Sequence, residues 1–240
     1  MKKRIWELDA LRGVLMIIII VFHLIYDLVF LFGVMELTSP LVQKLYRMGS
    51  AWGGAPFLFL SGLCAAIGSR PVRRGLWVLG GGMIISLVTT VIYLLGFAGK
   101  EIVIYFGVLH CIGCCMILWP LLRNSPAPLL LALGLVLIAL GLYLRRYLQV
   151  DFPWLLALGF LPRGFVSADY FPLLPNFGYF LVGTYLGKTF YKDKVSLLPN
   201  VNTQRPVIRF FSFFGKHSLL IYLLHQPILI GLVGLWLMIS

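Results

Sequence analysis

The stretch Glu7-Leu8-Asp9-Ala10-Leu11-Arg12-Gly13 leads directly into an apolar run that carries His23 and Asp27. This run is long enough to cross a bilayer, so it is predicted to form the first membrane-spanning helix. Lipid penalises ionisable side chains, and those kept within a span usually serve chemistry or transport. A histidine and an aspartate one helical turn apart therefore indicate a functional helix.

The composition of the whole chain is that of a helical membrane protein. Of its 240 residues, 60% are hydrophobic and 12% are charged, and the mean hydropathy is +0.97. Backbone groups in lipid need internal hydrogen bonds, and the short alternating strands of a barrel are not visible. The sequence therefore predicts an all-α, polytopic integral membrane protein. It is predicted to form a single domain over residues 1–240 and to lie, as a multi-pass protein, in the cell (inner or plasma) membrane.

About seven transmembrane helices are predicted, together with one shorter apolar segment. The predicted spans are residues 13–32, 52–69, 75–96, 102–122, 129–144, 170–190 and 218–239. Residues 152–161 are too few to cross a bilayer, so this segment is predicted to be interfacial or re-entrant.

The loop cations predict a cytoplasmic N-terminus. With that orientation, fourteen of the 20 Lys and Arg residues fall inside and six outside, as the positive-inside rule requires. The inside set is Lys2, Lys3, Arg4, Arg12, Arg70, Arg73, Arg74, Arg123, Lys188, Lys192, Lys194, Arg205, Arg209 and Lys216. The outside set is Lys44, Arg47, Lys100, Arg145, Arg146 and Arg163. The net charge of +12 is thus assigned to loops and anionic headgroups, not to nucleic acid.

His23 and Asp27 stand four residues apart, so on a helix they share one face. A carboxylate beside an imidazole fixes the tautomer of the ring and stabilises the imidazolium that forms when the ring takes a proton. The pair could therefore act as a general base. Two other interpretations stay open, a packing pair between helices and a proton relay in a transporter.

Arg12 lies eleven residues before His23, about 16 Å along a helix axis. Its guanidinium could bind phosphate groups of a cytoplasmic ligand, or it could anchor the helix in a pair with Asp9 or Glu7.

Four cysteines, Cys64, Cys111, Cys114 and Cys115, all lie in apolar runs. Cys111 and Cys114 have C-x-x-C spacing, but without a second pair they are interpreted as packing residues, and no metal site is expected.

Three separated motifs resemble those of the transmembrane acyltransferase superfamily. The first is Leu8-Asp9-Ala10-Leu11-Arg12-Gly13, followed ten residues after the glycine by His23. The second is Phe57-Leu58-Phe59-Leu60-Ser61-Gly62, and the third is Gly215-Lys216-His217-Ser218-Leu219-Leu220-Ile221-Tyr222-Leu223-Leu224-His225-Gln226-Pro227.

Within that superfamily the chain is most similar to one branch, the heparan-α-glucosaminide N-acetyltransferase catalytic-domain family in its compact bacterial form. Phe106-Gly107-Val108-Leu109-His110 and residues 170–180 carry this likeness, together with His23 and Asp27. The chain departs from the family in one respect, since the active histidine of the lysosomal enzyme lies later than His23.

The resemblance implies an enzyme that transfers an acetyl group from cytoplasmic acetyl-CoA to a sugar amine, a hydroxyl or another envelope acceptor. His23, with Asp27, would be the general base, acting by direct transfer or through an acyl-histidine. Residues expected to bind the donor acetyl-CoA are Arg12, Arg70, Arg73, Arg74, Ser61 and His110. Residues expected to bind the acceptor are Asn176, Tyr179 and His225.

Each of these candidates also has a structural interpretation. Ser61, Tyr105 and Tyr179 are suggested oxyanion donors, whereas His110 is equally typical of a hydrogen-bonded core histidine. His225 could stabilise the kink at Pro227. Asn176 and Tyr179 could simply begin a helix.

The alternative function is a small proton-coupled transporter or flippase with His23 and Asp27 as its relay, although paired broken helices of the transporter kind are not visible. The expected partners are the lipid bilayer, acyl-CoA, a glycan or other envelope acceptor and a second copy of the chain as a homodimer.

Overall fold

The structure is a computed structural model that describes residues 4–239, apart from the side chains of residues 50–52. Lys2 and Lys3 of the predicted cytoplasmic set lie outside the described residues. The chain is mostly helical (71%), and its described part forms nine α-helices. These are α1 (Trp6–Tyr26), α2 (Pro40–Trp52), α3 (Ala55–Ile67), α4 (Pro71–Leu94), α5 (Val108–Leu122), α6 (Ala127–Tyr147), α7 (Leu173–Phe190), α8 (Pro206–Lys216) and α9 (Ser218–Ile239).

Four helical stretches of the described residues are long and apolar enough to cross a membrane. They are Trp6–Leu31, Pro71–Leu94, Ala127–Tyr147 and Ser218–Ile239. The helices Ala55–Ile67 and Val108–Leu122 are apolar but shorter; thirteen residues of α-helix measure about 20 Å, against a hydrocarbon core of about 30 Å. The helical membrane class is thus supported, whereas seven spans and a cytoplasmic N-terminus stay predictions.

Two helices, α2 and α8, lie in the connections between predicted spans, where no helix was predicted. Both α2 and α8 begin at a proline, a residue that suits the first helical position because its missing N–H has no intrahelical acceptor there. In α2, Leu41, Leu45 and Met48 recur at helical spacing, so the apolar residues form one stripe. Basic residues between them hid this stripe in the sequence.

Residues 152–161 form no span. They contain one turn of 3-10 helix, Leu156–Leu158, beside the two-residue parallel strands β1 (Gln149–Val150) and β2 (Leu161–Pro162). The interfacial or re-entrant placement of this segment stays a prediction.

The chain divides into two compact units. The first is Met1–Phe57 with Leu198–Ser240, and the second is Leu58–Leu197. The single-domain organisation of the chain stays a prediction.

In the first unit, α1 and α8 approach so closely that two glycines are required. A Cβ at Gly13 would overlap the carbonyl oxygen of Phe211, and a Cβ at Gly215 would overlap that of Asp9. The first and last motifs of the sequence therefore meet at one helix crossing.

The last turn of the α1 span is a π-helix, Asp27–Leu31, in which the Phe32 N–H donates to the Asp27 carbonyl at 2.8 Å.

In the second unit, α7 packs against α3 and α6 through further glycines. A Cβ at Gly62 would overlap the carbonyl oxygen of Phe180, and one at Gly183 would overlap that of Phe59. The core is built from fully buried side chains, among them Trp119, Leu58 and Leu130. Small residues at such contacts let helix backbones approach, which is the main route to helix association in lipid.

Candidate functional site

Asp27 is completely buried where α1 passes into the π turn, and its hydrogen-bond partner comes from α9. Gln226 donates through Nε2 to Oδ1 of Asp27 at 2.6 Å. No hydrogen bond joins Asp27 to His23 among the described residues, because Nδ1 of His23 faces the carbonyl oxygen of Ile19 instead. His23, Asp27, His225 and Gln226 are called the Asp27 cluster below.

The tautomers of both histidines in the Asp27 cluster follow from backbone carbonyls. The Nδ1 atom of His23 lies 2.9 Å from the carbonyl oxygen of Ile19, and that of His225 lies 2.7 Å from the carbonyl oxygen of Tyr222. A carbonyl only accepts, so each Nδ1 carries the proton and each neutral ring has its lone pair on Nε2. The ring centroids are 4.8 Å apart and nearly perpendicular.

Three buried acceptor atoms of the Asp27 cluster have no hydrogen-bond partner within the described part of the chain. They are Oδ2 of Asp27, Oε1 of Gln226 and Nε2 of His225. A buried polar atom without a partner costs about 1–3 kcal/mol, so such atoms in a native protein call for an explanation.

An open groove of about 270 Å³ between α1 and α9 reaches His225. Its other lining residues are aliphatic, Ile20 of α1 and five residues of α9. From α2, Tyr46 stacks on Phe22, the neighbour of His23, with ring centroids 4.6 Å apart. The Asp27 cluster is thus a polar site within an otherwise apolar part of the first unit.

Arg12 lies at the α1–α8 crossing. One guanidinium nitrogen lies 3.4 Å from Oδ1 of Asp9 and 3.4 Å from the carbonyl oxygen of Gly215. A cation near the last carbonyls of α8 also interacts favourably with that end of the helix. Of the two interpretations that the sequence left open for Arg12, these contacts favour the anchor paired with Asp9.

In the second unit, both ring nitrogens of His110 are engaged. Nδ1 accepts from the Gly107 N–H at 3.2 Å, and Nε2 lies 3.3 Å from Oγ of Ser86. Ser86 itself donates to the carbonyl of Ile104, so its oxygen is the acceptor for His110. This arrangement favours the core-histidine interpretation over a role in binding the donor.

The other candidates of the second unit lie along α3, α4 and α7. Asn176 is buried and donates through Nδ2 to the Pro172 carbonyl at 2.8 Å, as a residue that organises a helix start would do. Tyr179 is buried, and its ring centroid lies 5.4 Å from that of Phe59. Ser61 is half-buried in α3, beside the tightly packed Gly62.

Arg70, Arg73 and Arg74 are exposed at the N-terminal end of α4. Arg70 takes a left-handed backbone conformation (φ 58°) as the residue before the first helical turn. The three guanidinium groups and the N-terminal end of the α4 dipole are all positive, so they repel one another. An anion bound at this end of α4 would relieve the repulsion.

Asp169 is half-buried in the loop before α7 and was not among the predicted site residues. Its Oδ2 accepts the Val108 N–H at 2.9 Å, at the start of α5, and a Cβ at Gly107 would overlap the same oxygen. Burial raises the pKa of Asp169 to about 6, and the hydrogen bond from Val108 opposes that rise. The hydrogen bond between Val108 and Asp169 joins two segments that also pair through Phe106 and Tyr170.

A family model described as heparan-alpha-glucosaminide N-acetyltransferase, catalytic, matches residues 4–227. The chain belongs to this family. The family likeness proposed from the motifs is therefore confirmed, and the match covers every candidate site residue from Arg12 to His225. No curated protein matches the chain, and no solved structure matches it.

Membership of the heparan-α-glucosaminide N-acetyltransferase family, together with four helices suited to a bilayer, indicates a membrane acetyltransferase with acetyl-CoA as the donor that the family implies. Within the described residues no group of three His, Cys, Asp or Glu side chains could hold a metal ion. The four cysteines are free thiols, and the Sγ atoms of Cys111 and Cys115 lie 4.0 Å apart.

Proposed function

We propose that this protein is a membrane-embedded acetyltransferase that moves the acetyl group of cytoplasmic acetyl-CoA to a hydroxyl or amine of a sugar or other envelope acceptor. The family match supports the reaction class. The observation that carries the assignment to the Asp27 cluster is the hydrogen bond of His23 to the Ile19 carbonyl, which places the basic lone pair on Nε2.

In the proposed reaction, His23 is the general base. As the acceptor oxygen or nitrogen attacks the thioester carbonyl carbon, its proton moves to Nε2 of His23. The tetrahedral intermediate then collapses, the C–S bond breaks, and the proton passes from His23 to the CoA thiolate. Asp27 would stabilise the imidazolium through its charge, since its hydrogen bond is taken by Gln226. An acyl-histidine route is the second form of the same proposal.

The donor is proposed to approach from the cytoplasmic side, where Arg70, Arg73 and Arg74 would attract its phosphates. Their position at the N-terminal end of α4 supports this assignment, because an anion would neutralise both the guanidinium groups and the helix dipole. Ser61, Tyr105 and Tyr179 remain proposed oxyanion donors, and Asn176, Tyr179 and His225 proposed acceptor contacts. The bilayer of the cell membrane, a glycan acceptor and a homodimer are proposed partners.

The test is acetyl-CoA-dependent activity of the purified full chain in lipid nanodiscs. We expect acetyl-CoA to raise the melting temperature, and we expect His23→Ala to reduce transfer by at least a hundredfold. His217→Ala is the matched control, because His217 is exposed in the same unit. Absence of both an acetyl-CoA shift and transfer would overturn the proposal, as would equal activity of His23→Ala and His217→Ala.

A proton-coupled transporter is the second candidate, favoured by the burial of Asp27 one helical turn after His23, whose ring lies 4.8 Å from that of His225. Such groups within a span are typical of proton relays. This candidate predicts proton uptake into liposomes that Asp27→Asn abolishes, in a protein that acetyl-CoA does not stabilise.

A further inference from the structure

Within the first unit, α8 packs one face against α1 and leaves an aromatic face outward. Its inner face carries the buried residues Ser212 and Gly215, and a Cβ at Gly215 would overlap the carbonyl oxygen of Asp9. On the other side of the helix, Phe210 and Phe213 are exposed over 53% and 58% of their surface. A helix that exposes large aromatic side chains in this way needs a second apolar environment, such as a partner or a membrane.

A row of cations lies between the inner face and the aromatic face of α8. Arg209 and Lys216 are seven residues apart, about two helical turns, and Arg205 lies four residues before Arg209. All three side chains are exposed, and no carboxylate of the described residues forms an ion pair with them. The sequence has no Asp or Glu between residues 194 and 240. This row, called the cation edge below, therefore has no counter-charge in its own segment.

A groove opens where α8 meets α9, separate from the one described above between α1 and α9. Its volume is about 330 Å³, and its lining includes Lys216 and three leucines of α9, Leu219, Leu220 and Leu223. An ammonium group beside aliphatic side chains matches a molecule that is anionic at one end and hydrocarbon at the other.

The packing of α8 on α1 indicates its depth in a bilayer. α8 lies against the first two turns of α1, where a Cβ at Gly13 would overlap the carbonyl oxygen of Phe211. These turns carry Glu7, Asp9 and Arg12, charged residues that belong at headgroup level when the apolar run after Gly13 spans the hydrocarbon. We therefore expect α8 at the same level, where phenylalanines reach the acyl chains and cations reach the phosphates.

We propose that an anionic phospholipid binds at the junction of α8 and α9. Its phosphate pairs with Lys216 and is attracted by Arg209, and one acyl chain lies along Leu219, Leu220 and Leu223. This site does not depend on the acetyltransfer proposed above. In the predicted orientation the cation edge faces the cytoplasmic leaflet, which carries the anionic lipids, and each Lys or Arg near such a surface strengthens binding about fivefold.

The test is a competition between two lipids that differ only in the headgroup. The full chain in detergent micelles is incubated with dioleoyl-phosphatidylglycerol, which has a net negative charge, or with zwitterionic dioleoyl-phosphatidylcholine. Native mass spectrometry counts the bound lipid, and the melting temperature is measured on the same samples. Phosphatidylglycerol is expected to bind roughly tenfold to a hundredfold more tightly and to raise the melting temperature, because two or three cations contribute. Glycerol phosphate, which has the charge without the chains, is expected to give no shift.

Two variants assign the preference to the cation edge. Lys216→Gln and Arg209→Gln each remove one charge, and each is expected to weaken phosphatidylglycerol binding about fivefold while phosphatidylcholine binding stays unchanged. Lys44→Gln is the matched control, because Lys44 is exposed on α2 in the same unit and lines neither groove.

Four results would overturn the lipid site. They are equal binding of the two lipids, equal effects of Lys216→Gln and Lys44→Gln, a glycerol phosphate shift as large as that of phosphatidylglycerol, and displacement of phosphatidylglycerol by acetyl-CoA. The last would assign the cation edge to the acetyl donor. If Lys216→Gln already lowers the melting temperature without added lipid, Arg209→Gln and the lipid competition in the wild-type chain decide.

Discussion

At the scale of single residues, the hydrogen bonds of each histidine decide what it is free to do. His23 and His225 donate from Nδ1 to backbone carbonyls, which leaves the lone pair on Nε2. His110 uses both ring nitrogens within its own unit. Three of the four histidines thus divide into two whose Nε2 lone pair is not used within the chain and one whose ring nitrogens are both engaged.

His110 is therefore expected to affect stability and not donor binding. His110→Phe leaves the Gly107 N–H without its acceptor, a loss of about 1–3 kcal/mol. We expect a lower melting temperature in nanodiscs, with an unchanged KM for acetyl-CoA in the fraction that stays folded. If the His110→Phe variant had normal stability but a KM for acetyl-CoA raised tenfold or more, His110 would be assigned to donor binding after all.

Asp169 predicts a pH dependence of stability. Its pKa is raised from 3.8 to about 6, so between those values the folded state binds a proton that the unfolded state has released. Stability should thus fall as pH rises from about 4 to about 6, by up to ~1.4 kcal/mol per pH unit, and then level off. Asp169→Asn should flatten this part of a melting-temperature profile, and a profile unchanged by Asp169→Asn would contradict the assignment.

The sequence predicts part of the Asp27 cluster and misses the rest for a definable reason. His23 and Asp27 stand out because ionisable side chains four residues apart are conspicuous in an apolar run. Gln226 is uncharged and lies 199 residues from Asp27 along the chain, so no local pattern links them. No sequence pattern predicts the contact of Asp169 either, because its partner is the backbone N–H of Val108, 61 residues earlier in the chain.

At the scale of helices, the glycines of the first and last motifs have a packing role that spacing alone does not reveal. Gly13→Ala or Gly215→Ala would force α1 and α8 apart, since the added Cβ meets a backbone carbonyl that cannot move alone. Overpacking of this kind costs about 1–3 kcal/mol or more. Melting temperature in nanodiscs measures the effect.

Gly231 and Gly234 of α9 provide the matched control for these two substitutions. A Cβ at either position meets nothing within 4 Å. Alanine there should leave stability unchanged or slightly raised, because alanine favours helix over glycine. Equal losses at all four glycines would show that the crossing of α1 and α8 is not the cause.

Helix positions were predictable where hydrophobic runs are long, and less so where the helix is short or amphipathic. Each of the seven predicted spans contains a helix, but α3 and α5 are shorter than expected. The helices α2 and α8 were expected to be loops, because their lysines and arginines lower the local hydropathy while the helical periodicity persists.

At the scale of the whole molecule, the distribution of loop cations predicts which side each loop faces. Lys100 is expected outside and Lys192 and Lys194 inside. Lys100→Cys should react with an impermeant maleimide on intact cells, and Asp193→Cys only after permeabilisation. The native cysteines are buried or half-buried, which gives a low background. The reverse labelling pattern would show that the N-terminus lies outside and that the predicted orientation is wrong.

The π turn at Asp27–Leu31 carries one more residue than an α-helical turn would need. Such a turn is equivalent to a single-residue insertion that the helix has absorbed without breaking. Relatives that lack it should show a one-residue gap between Tyr26 and Phe32, while the spacing from Arg12 to His23 is kept. Counting positions across the family through this helix would therefore misplace every later residue by one.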